Sequence, residues 1–258
     1  MGLSKKPTAR FNSSEIECQT PKPACYFMYI NKITINHNRF PSQKVYPFHL
    51  SILQNTDALD LKTPVTIFIG ENGTGKSTLL KAICAKCNIY IWEGVSRTRY
   101  EANPFEDKLQ HALDVHWVNG SATGSFFSPE LFRNFSQLVD EWAVNSPGIL
   151  EYYGGKSLLS QSHGQSTMAY FRSMYGRKGL YFLDEPEAAL SPGTQLDLLA
   201  LLNEKSRNDA QFIISTHSPI LMSCKQAEIL SFDGPSIQPI DLKDTSHYKI
   251  YHQFVNEI

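Results

Sequence analysis

Residues 65–78, VTIFIGENGTGKST, constrain the fold of this chain more than any other stretch. Their first part, VTIFI, is rich in β-branched and aromatic side chains and predicts a buried strand. A helix-favouring run, TLLKA, begins at Thr78. Between strand and helix, the phosphate-binding pattern G-x-x-x-x-G-K-[ST] is matched at Gly70, Gly75, Lys76 and Ser77. This order of elements predicts a loop that binds a nucleoside triphosphate.

Each residue type in this loop has a reason to be there. Glycines allow the backbone to turn so that successive N–H groups point at phosphate oxygens. The helix that follows adds its positive end. Lys76 is expected to reach the β and γ phosphates, and the Ser77 hydroxyl to bind Mg²⁺. The predicted ATP-binding residues of the loop are Glu71, Asn72, Gly73, Thr74, Gly75, Lys76, Ser77 and Thr78.

Length and composition fit one α/β domain with a helical insert, because 258 residues with 41% hydrophobic content can form a substantial core. The net charge of −1 gives no bulk attraction to nucleic acid or acidic membranes, although a local basic patch stays open. No apolar run approaches the ~18 residues that span a bilayer, and residues 1–22 lack the apolar core of a signal peptide. We therefore expect a cytoplasmic protein without direct membrane insertion.

The cysteines favour free thiols, because there are five of them and no export signal. Cys84 and Cys87 form a CxxC on the helix after the phosphate loop. A zinc site would need a second close pair, whereas Cys18 and Cys25 are seven positions apart. Packing of a helix is therefore favoured over metal binding.

Strands and helices are predicted to alternate around the phosphate loop. Residues 1–24 favour a flexible tail, and 25–258 a single domain, with a mostly helical lobe inserted over about 95–175. Further strands are predicted at 26–35, 46–53, the end of 83–91, 113–118, 179–183, 211–215 and 229–232. Further helices are predicted from Pro129, from Ser162 or Gly164, from Ser191 and from Tyr248.

Polar residues follow two apolar strands of this predicted sheet. Asp184 and Glu185 come directly after GLYFL, about a hundred residues beyond the phosphate loop. A carboxylate at a strand end can hold Mg²⁺ opposite Ser77, which we assign to Asp184. The adjacent carboxylate, Glu185, is assigned as the base that polarises the attacking water. His217 follows the next strand and is expected to contact the γ phosphate, with a purely structural role as the alternative.

The phosphate loop, SHGQ at 162–165, LDEP at 183–186 and His217 stand in an order that resembles the ABC-type ATPases. That family includes transporter motors and the SMC and RecF proteins of DNA maintenance, and SHGQ occupies the place of its LSGGQ signature. The runs YYGGKSLLSQSHGQS, LYFLDEPEAALSP and FIISTHSPIL look like small stand-alone bacterial ATPases that are called AAA-family. The resemblance covers about residues 26–258.

The resemblance implies an ABC ATPase-like head with a mixed, mostly parallel sheet and an inserted helical lobe. It also implies a homodimer that holds ATP and Mg²⁺ between two chains. Ser162, Gly164 and Gln165 would then contact the ATP bound by the second copy, and residues 188–191 would run along the interface. ATP would join the two chains until its hydrolysis loosens them.

The sequence departs from the family pattern at several positions. His163 replaces the first glycine of the signature, and Ser191 stands where transporters have an aspartate. Tyr26 or Phe27 could stack on adenine. The glutamine expected on Mg²⁺ has no clear match, and the open candidates are Gln110, Gln137 and Glu130.

The leading functional hypothesis is an ATP-driven dimerising switch that acts on DNA or on a partner effector, as in genome maintenance or phage defence. About 85 residues separate Lys76 from Ser162, which leaves no room for a long coiled coil. One alternative is the motor subunit of a membrane transporter. Another is an ATP sensor that pairs but barely turns over.

Overall fold

Two β-sheets organise residues 26–92, 103–105 and 107–257, which this computed structural model describes. The smaller sheet is antiparallel, with the strand order β2–β1–β4. Its strands are β1 (Ile30–Ile35), β2 (Ala58–Asp60) and β4 (Leu113–Trp117). The predicted tail at 1–24 lies outside the described residues, as does part of the predicted lobe, 95–102.

The larger sheet has six strands in the order β5–β6–β7–β3–β8–β9. All are parallel except β9, which pairs with β8 in the antiparallel direction. Every residue of the central strands β3, β6 and β7 is buried, as expected where helices cover both faces of a parallel sheet. The bounds are β3 (Val65–Ile69), β5 (Gly124–Phe127), β6 (Gly179–Asp184), β7 (Ala210–Ser215), β8 (Ala227–Ser231) and β9 (Gln238–Pro239). The predicted α/β class with a mixed, mostly parallel sheet is confirmed.

Helices connect these strands, and several start in the same way. A Ser-Pro pair at Ser128, Ser191 and Ser218 places a hydroxyl that accepts a backbone N–H of the first turn, followed by a proline that has no N–H to lose. The helices are α1 (Ser51–Gln54), α2 (Lys76–Lys86), α3 (Pro129–Asn145), α4 (His163–Met174), α5 (Pro192–Lys205), α6 (Pro219–Met222) and α7 (Ser246–Glu257). None of these helices is long and apolar enough to cross a membrane.

Two sequence predictions about elements were wrong in part. Residues 46–53 form a turn and α1 instead of a strand, because Phe48 and Leu53 reach the core equally well from a helical turn. The helix after the phosphate loop ends at Lys86, and no strand follows it up to residue 92. Gly124 begins β5, and a Cβ at this position would overlap the Leu180 carbonyl oxygen.

The predicted helical lobe also has different bounds. Helical structure runs from Pro129 to Met174, whereas β4 and β5, in the earlier part of the predicted range, are strands of the two sheets. The apolar residues of β4 and β5 alternate or are continuous, as is typical of strands. Each of these strands pairs with a neighbouring strand of a sheet, so neither belongs to a lobe separate from the core.

Gln211 joins the two sheets and is fully buried. Its side-chain oxygen accepts the N–H groups of Tyr29 and Ile30 at 2.8 and 3.0 Å, and its amide nitrogen donates to the Ile30 carbonyl at 2.8 Å. Gln211→Leu keeps the volume but leaves these backbone groups buried without partners. We expect a loss of about 2–4 kcal/mol in the free energy of unfolding, measured by urea denaturation.

The matched control for this prediction is Gln238→Leu, since Gln238 is exposed and its amide donates only to Ser236. We expect a change within about 0.5 kcal/mol for this surface variant. Equal losses in the two variants would show that the hydrogen bonds of Gln211 do not stabilise the contact between the sheets.

Candidate functional site

The carboxyl ends of β3, β6 and β7 meet at one edge of the larger sheet. Asp184 is paired with Ser215, and Ser215 with Phe68, so the residues that follow these strands lie side by side. Open parallel sheets bind ligands at this edge. The structure therefore brings together the phosphate loop, Asp184 with Glu185, and His217, as the sequence predicted.

The phosphate loop wraps around the Lys76 side chain, which is 4% exposed. Its Nζ donates to the carbonyl oxygens of Gly70 at 2.6 Å and Glu71 at 2.8 Å. Gly75, directly before α2, has a φ of 99°, a conformation that strains any residue with a Cβ. The loop thus has the backbone turn and the buried cation that phosphate binding needs.

Carboxylates surround this lysine. Burial lowers the pKa of Lys76, and nearby carboxylates oppose that shift. They belong to Glu185, Asp233, Asp184 and Glu71. Lys76 is therefore the cation that balances the acidic side chains at this edge of the sheet.

Ser77 and Asp184 form a pair of oxygen ligands. The Ser77 hydroxyl donates to Asp184 Oδ1 at 2.8 Å. Burial raises the pKa of the Asp184 carboxyl, and the hydrogen bond from Ser77 opposes this shift. Within the described ranges no group of three or more His, Cys, Asp or Glu side chains could hold a metal. The pair still fits Mg²⁺, which takes one or two protein oxygens together with substrate phosphates.

Glu185 and His217 face each other beside this pair. Glu185 Oε1 lies 3.8 Å from His217 Nε2, and its side chain is 44% exposed. The backbone of Glu185 is left-handed, with φ 48° and ψ 50°, and its N–H donates to the Ser215 carbonyl at 2.9 Å. Such a conformation is rare for a residue with a side chain and is common at functional sites. The side chains of Glu185 and His217, both predicted to be catalytic, thus lie next to each other.

The residues of the SHGQ segment, 162–165, lie in a different part of the structure, at the start of α4. Ser162 and Gln165 are exposed at the start of α4, where the Ser162 N–H donates to Gln165 Oε1 at 3.3 Å. Helix α4 packs against α5 and against the turns at 147–153 and 186–189. Among the described residues, Ser162, Gly164 and Gln165 therefore make no hydrogen bond to the phosphate loop of their own chain.

Sequence reasoning missed several residues of this edge. Glu187 Oε1 accepts the His217 N–H at 2.5 Å and holds the loop that carries this histidine. Asp233 follows β8 and accepts the Glu71 N–H at 2.8 Å, so the rule that polar residues follow strands could have found it. The hydroxyls of Tyr46 and Thr78 share a hydrogen bond, which no sequence signal indicated.

The position of Tyr46 bears on adenine stacking. Phe27 packs edge-on against Tyr29, whose N–H is bonded to Gln211 near the start of β7. That contact lies toward the opposite edge of the sheet from the phosphate loop. Tyr46, beside Thr78, is the better placed aromatic side chain.

The three open candidates for the glutamine that would bind Mg²⁺ differ in their position relative to the larger sheet. Gln110 lies in the turn before β4 of the smaller sheet, and Gln137 in the middle of α3. Glu130 lies in the first turn of α3, directly after β5, and β5 is the neighbour of β6, which carries Asp184. Topology therefore favours Glu130, a carboxylate where the resemblance implies a glutamine.

The CxxC pair is part of the core. Cys84 and Cys87 are buried free thiols, and burial raises the pKa of both, to about 12 for Cys87. Thiols with raised pKa stay protonated at neutral pH, and metals bind the thiolate form. The geometry therefore supports the packing role.

Comparison with known proteins places this site in a class. Residues 101–223 match the family model described as "AAA domain, putative AbiEii toxin, Type IV TA system", and residues 47–88 match an "AAA domain" model. The thiamine import ATP-binding protein ThiQ of Ruegeria sp. (strain TM1040) is 29% identical over 161 residues, 58% of this chain and 69% of ThiQ. The ferric enterobactin transport ATP-binding protein FepC of Escherichia coli (strain K12) is 26% identical over 180 residues, 64% of this chain and 66% of FepC.

A solved structure of a putative metal-chelate type ABC transporter in an inward-facing conformation aligns with a TM-score of 0.49 at 18% identity. The alignment covers 87% of this chain and 90% of the other. That score is too low to support an argument about function.

The phosphate loop on a mostly parallel sheet, with acidic residues and a histidine at the strand ends, defines a P-loop ATPase. The matched family models and relatives narrow the class: the chain is a small ABC-like P-loop ATPase, an enzyme that binds and hydrolyses ATP.

Proposed function

We propose that ATP joins two copies of this chain head to tail, and that hydrolysis separates them. The observation that carries this proposal is the exposed start of α4. Ser162 lies on an accessible helix N-terminus, which suits an anion, yet among the described residues it makes no hydrogen bond to the phosphate loop of its own chain. In a head-to-tail pair, Ser162, Gly164 and Gln165 of one copy close over the γ phosphate held by Lys76 of the other.

Residues of the carboxyl edge divide the chemistry among them. Ser77 and Asp184 hold Mg²⁺, which neutralises charge on the phosphates. Glu185 accepts a proton from the attacking water, and His217 donates a hydrogen bond to the γ phosphate. The 3.8 Å separation of Glu185 and His217 supports this division, since one water and one phosphate oxygen can contact both side chains.

The paired state acts on DNA or on a separately encoded effector. Two observations support action on DNA or on an effector over a role in membrane transport. The matched family description names a putative AbiEii toxin of a Type IV TA system. Ser191, at the start of α5, stands where the resemblance implies an aspartate in transporters.

A transporter motor is the second candidate, and it also has direct support. The relatives ThiQ and FepC are named as import and transport ATP-binding proteins. ATPase activity that rises with added DNA would favour the first output, whereas co-purification with a membrane protein would favour the second. Pairing in ATP with almost no phosphate release would indicate a sensor instead.

Ser162→Arg tests the head-to-tail arrangement. An arginine at this exposed position leaves the monomer intact, so the ATP dissociation constant should change by less than about threefold. In the pair the larger side chain would collide with the second copy where Ser162 closes over the phosphate, which should weaken dimerisation by about 3 kcal/mol, or more than a hundredfold. The dimer constant is measured by analytical ultracentrifugation with ATP.

The control for this prediction is Ser146→Arg. Ser146 is also exposed and lies at the far end of α3, so the same charge is added away from the proposed contact. It should pair in ATP as the parent chain does. Loss of ATP binding in the Ser162 variant, or pairing as strong as in the parent chain, would contradict the arrangement across two chains.

A further inference from the structure

A second histidine bonds to His217. His217 Nδ1 and His247 Nε2 are 3.1 Å apart, with ring centroids separated by 5.3 Å. His247 comes from the first turn of α7, so the contact connects the last described helix to the loop after β7. His247 lies outside the matched family models and is not among the motifs that carry the resemblance.

The start of α7 is held in place by its own contacts. Thr245 is buried, its hydroxyl donates to the Leu242 carbonyl at 2.7 Å, and it accepts the N–H of Tyr248 at 3.1 Å. Helix α7 also packs on α6, which begins two residues after His217. His247 is therefore presented to His217 from a fixed position.

The surroundings of both rings favour their neutral forms. Burial lowers the pKa of His217, and the Lys76 ammonium lowers it further. Burial also lowers the pKa of His247, and its neighbour His217 adds to the shift. The acidic side chains that act in the opposite direction on both histidines include Glu71 and Asp233. Two neutral rings share one proton along the bond, so one donates and the other accepts.

The direction of that bond decides what His217 can do. If His247 Nε2–H donates, His217 Nδ1 accepts and its proton lies on Nε2. If His217 Nδ1–H donates instead, Nε2 carries only a lone pair. His217 Nε2 is the atom on the side of Glu185, and among the described residues it is buried without a hydrogen-bond partner. Only the first arrangement lets this atom donate to a phosphate oxygen.

We propose that His247 is a positioning residue that donates to His217 Nδ1 and so keeps the His217 proton on Nε2, facing the γ phosphate. This inference rests on the proposed role of His217. The start of α7 thereby becomes part of the nucleotide site. A change in the position of α7 alters turnover without touching the residues that bind ATP.

Two replacements of His247 separate hydrogen bonding from packing. His247→Phe keeps a ring but removes the donor, and it should lower kcat about tenfold while the KM for ATP changes by less than about twofold. In His247→Gln the amide nitrogen reaches as far as imidazole Nε2, so the donor is kept and kcat should recover to within about threefold of the parent. An unchanged kcat in the Phe variant, or equal losses in both variants, would overturn the proposal.

A measurement that does not depend on ATP hydrolysis distinguishes a failure of this proposal from a failure of the proposed function. In ¹⁵N-histidine NMR of the nucleotide-free chain, the His217 signals are identified by their loss in His217→Ala. They should show the Nε2–H tautomer in the parent and a mixture in His247→Phe, and an unchanged tautomer would overturn the proposal. In the His217→Ala background, His247→Phe should cause no further loss of kcat; an additional loss would show that His247 does not act through His217.

Discussion

Glu185→Gln is expected to lower ATP turnover by about 10²- to 10³-fold while ATP binding persists. Glutamine has the same shape as glutamate but cannot accept a proton from water at neutral pH. Glu185 is well placed for that role, because its strained backbone turns the side chain beside His217 at the end of β6. The rate is measured as phosphate release at saturating ATP.

The same variant should accumulate as an ATP-bound dimer. Removing one negative charge next to the γ phosphate weakens repulsion in the paired state, and slow hydrolysis prevents its separation. On size-exclusion chromatography with light scattering, the variant should therefore double its mass in ATP and remain a monomer in ADP. A monomer under both conditions would be evidence against the head-to-tail pair.

Glu141→Gln provides the control for charge and composition. Glu141 is exposed on α3, away from the carboxyl edge of the sheet. Turnover and mass in ATP should match those of the parent chain. If both variants lost turnover equally, the effect of Glu185→Gln would reflect folding and not its place beside the phosphate.

The predicted site residues that meet at the carboxyl edge share one property: each lies in the glycine loop or at the end of a strand with a strong local pattern. Asp184 ends the continuous apolar strand β6, and His217 lies two positions beyond the end of β7. In a parallel sheet such strand ends must meet, so local patterns and chain order were enough to bring these residues together.

The residues that were missed depend on contacts between segments far apart in the chain. His247 is 30 positions beyond His217, and Gln211 bonds to Ile30 across 181 positions. A histidine on an amphipathic helix or a glutamine in an apolar strand has the same local pattern whether or not a partner exists. Only the packing of α7 and of the smaller sheet reveals these roles.

The strand predicted near the phosphate loop, at 46–53, was wrong for a different reason. In 46–53, apolar residues are spaced so that either a strand or a helical turn buries them. A Cβ at Gly75 would lie 2.9 Å from Leu50 Cδ1, so the residue before α1 packs closely against the start of α2. The apolar spacing at 46–53 is compatible with both a strand and a helical turn, and tertiary packing determines which of them forms.

Lys76→Met should weaken ATP binding by about 3 kcal/mol, or more than a hundredfold in the dissociation constant, because it removes the charged donor to the β and γ phosphates. Methionine keeps much of the apolar stem in its buried position, so the loop should not collapse. Binding is measured by isothermal titration calorimetry with ATP and Mg²⁺.

Lys86→Met removes the same charge from the other end of α2 and should bind ATP as the parent does. The Lys76 variant has a second expected effect, since it leaves the carboxylates of Glu185, Asp233, Asp184 and Glu71 without their buried cation. Burial raises the pKa of the Asp184 carboxyl, so this variant should lose stability as the pH rises through that raised pKa, measured by urea denaturation at pH 5 and pH 8. If Lys76→Met bound ATP with unchanged affinity while remaining folded at both pH values, the loop at residues 70–78 would not be the phosphate site.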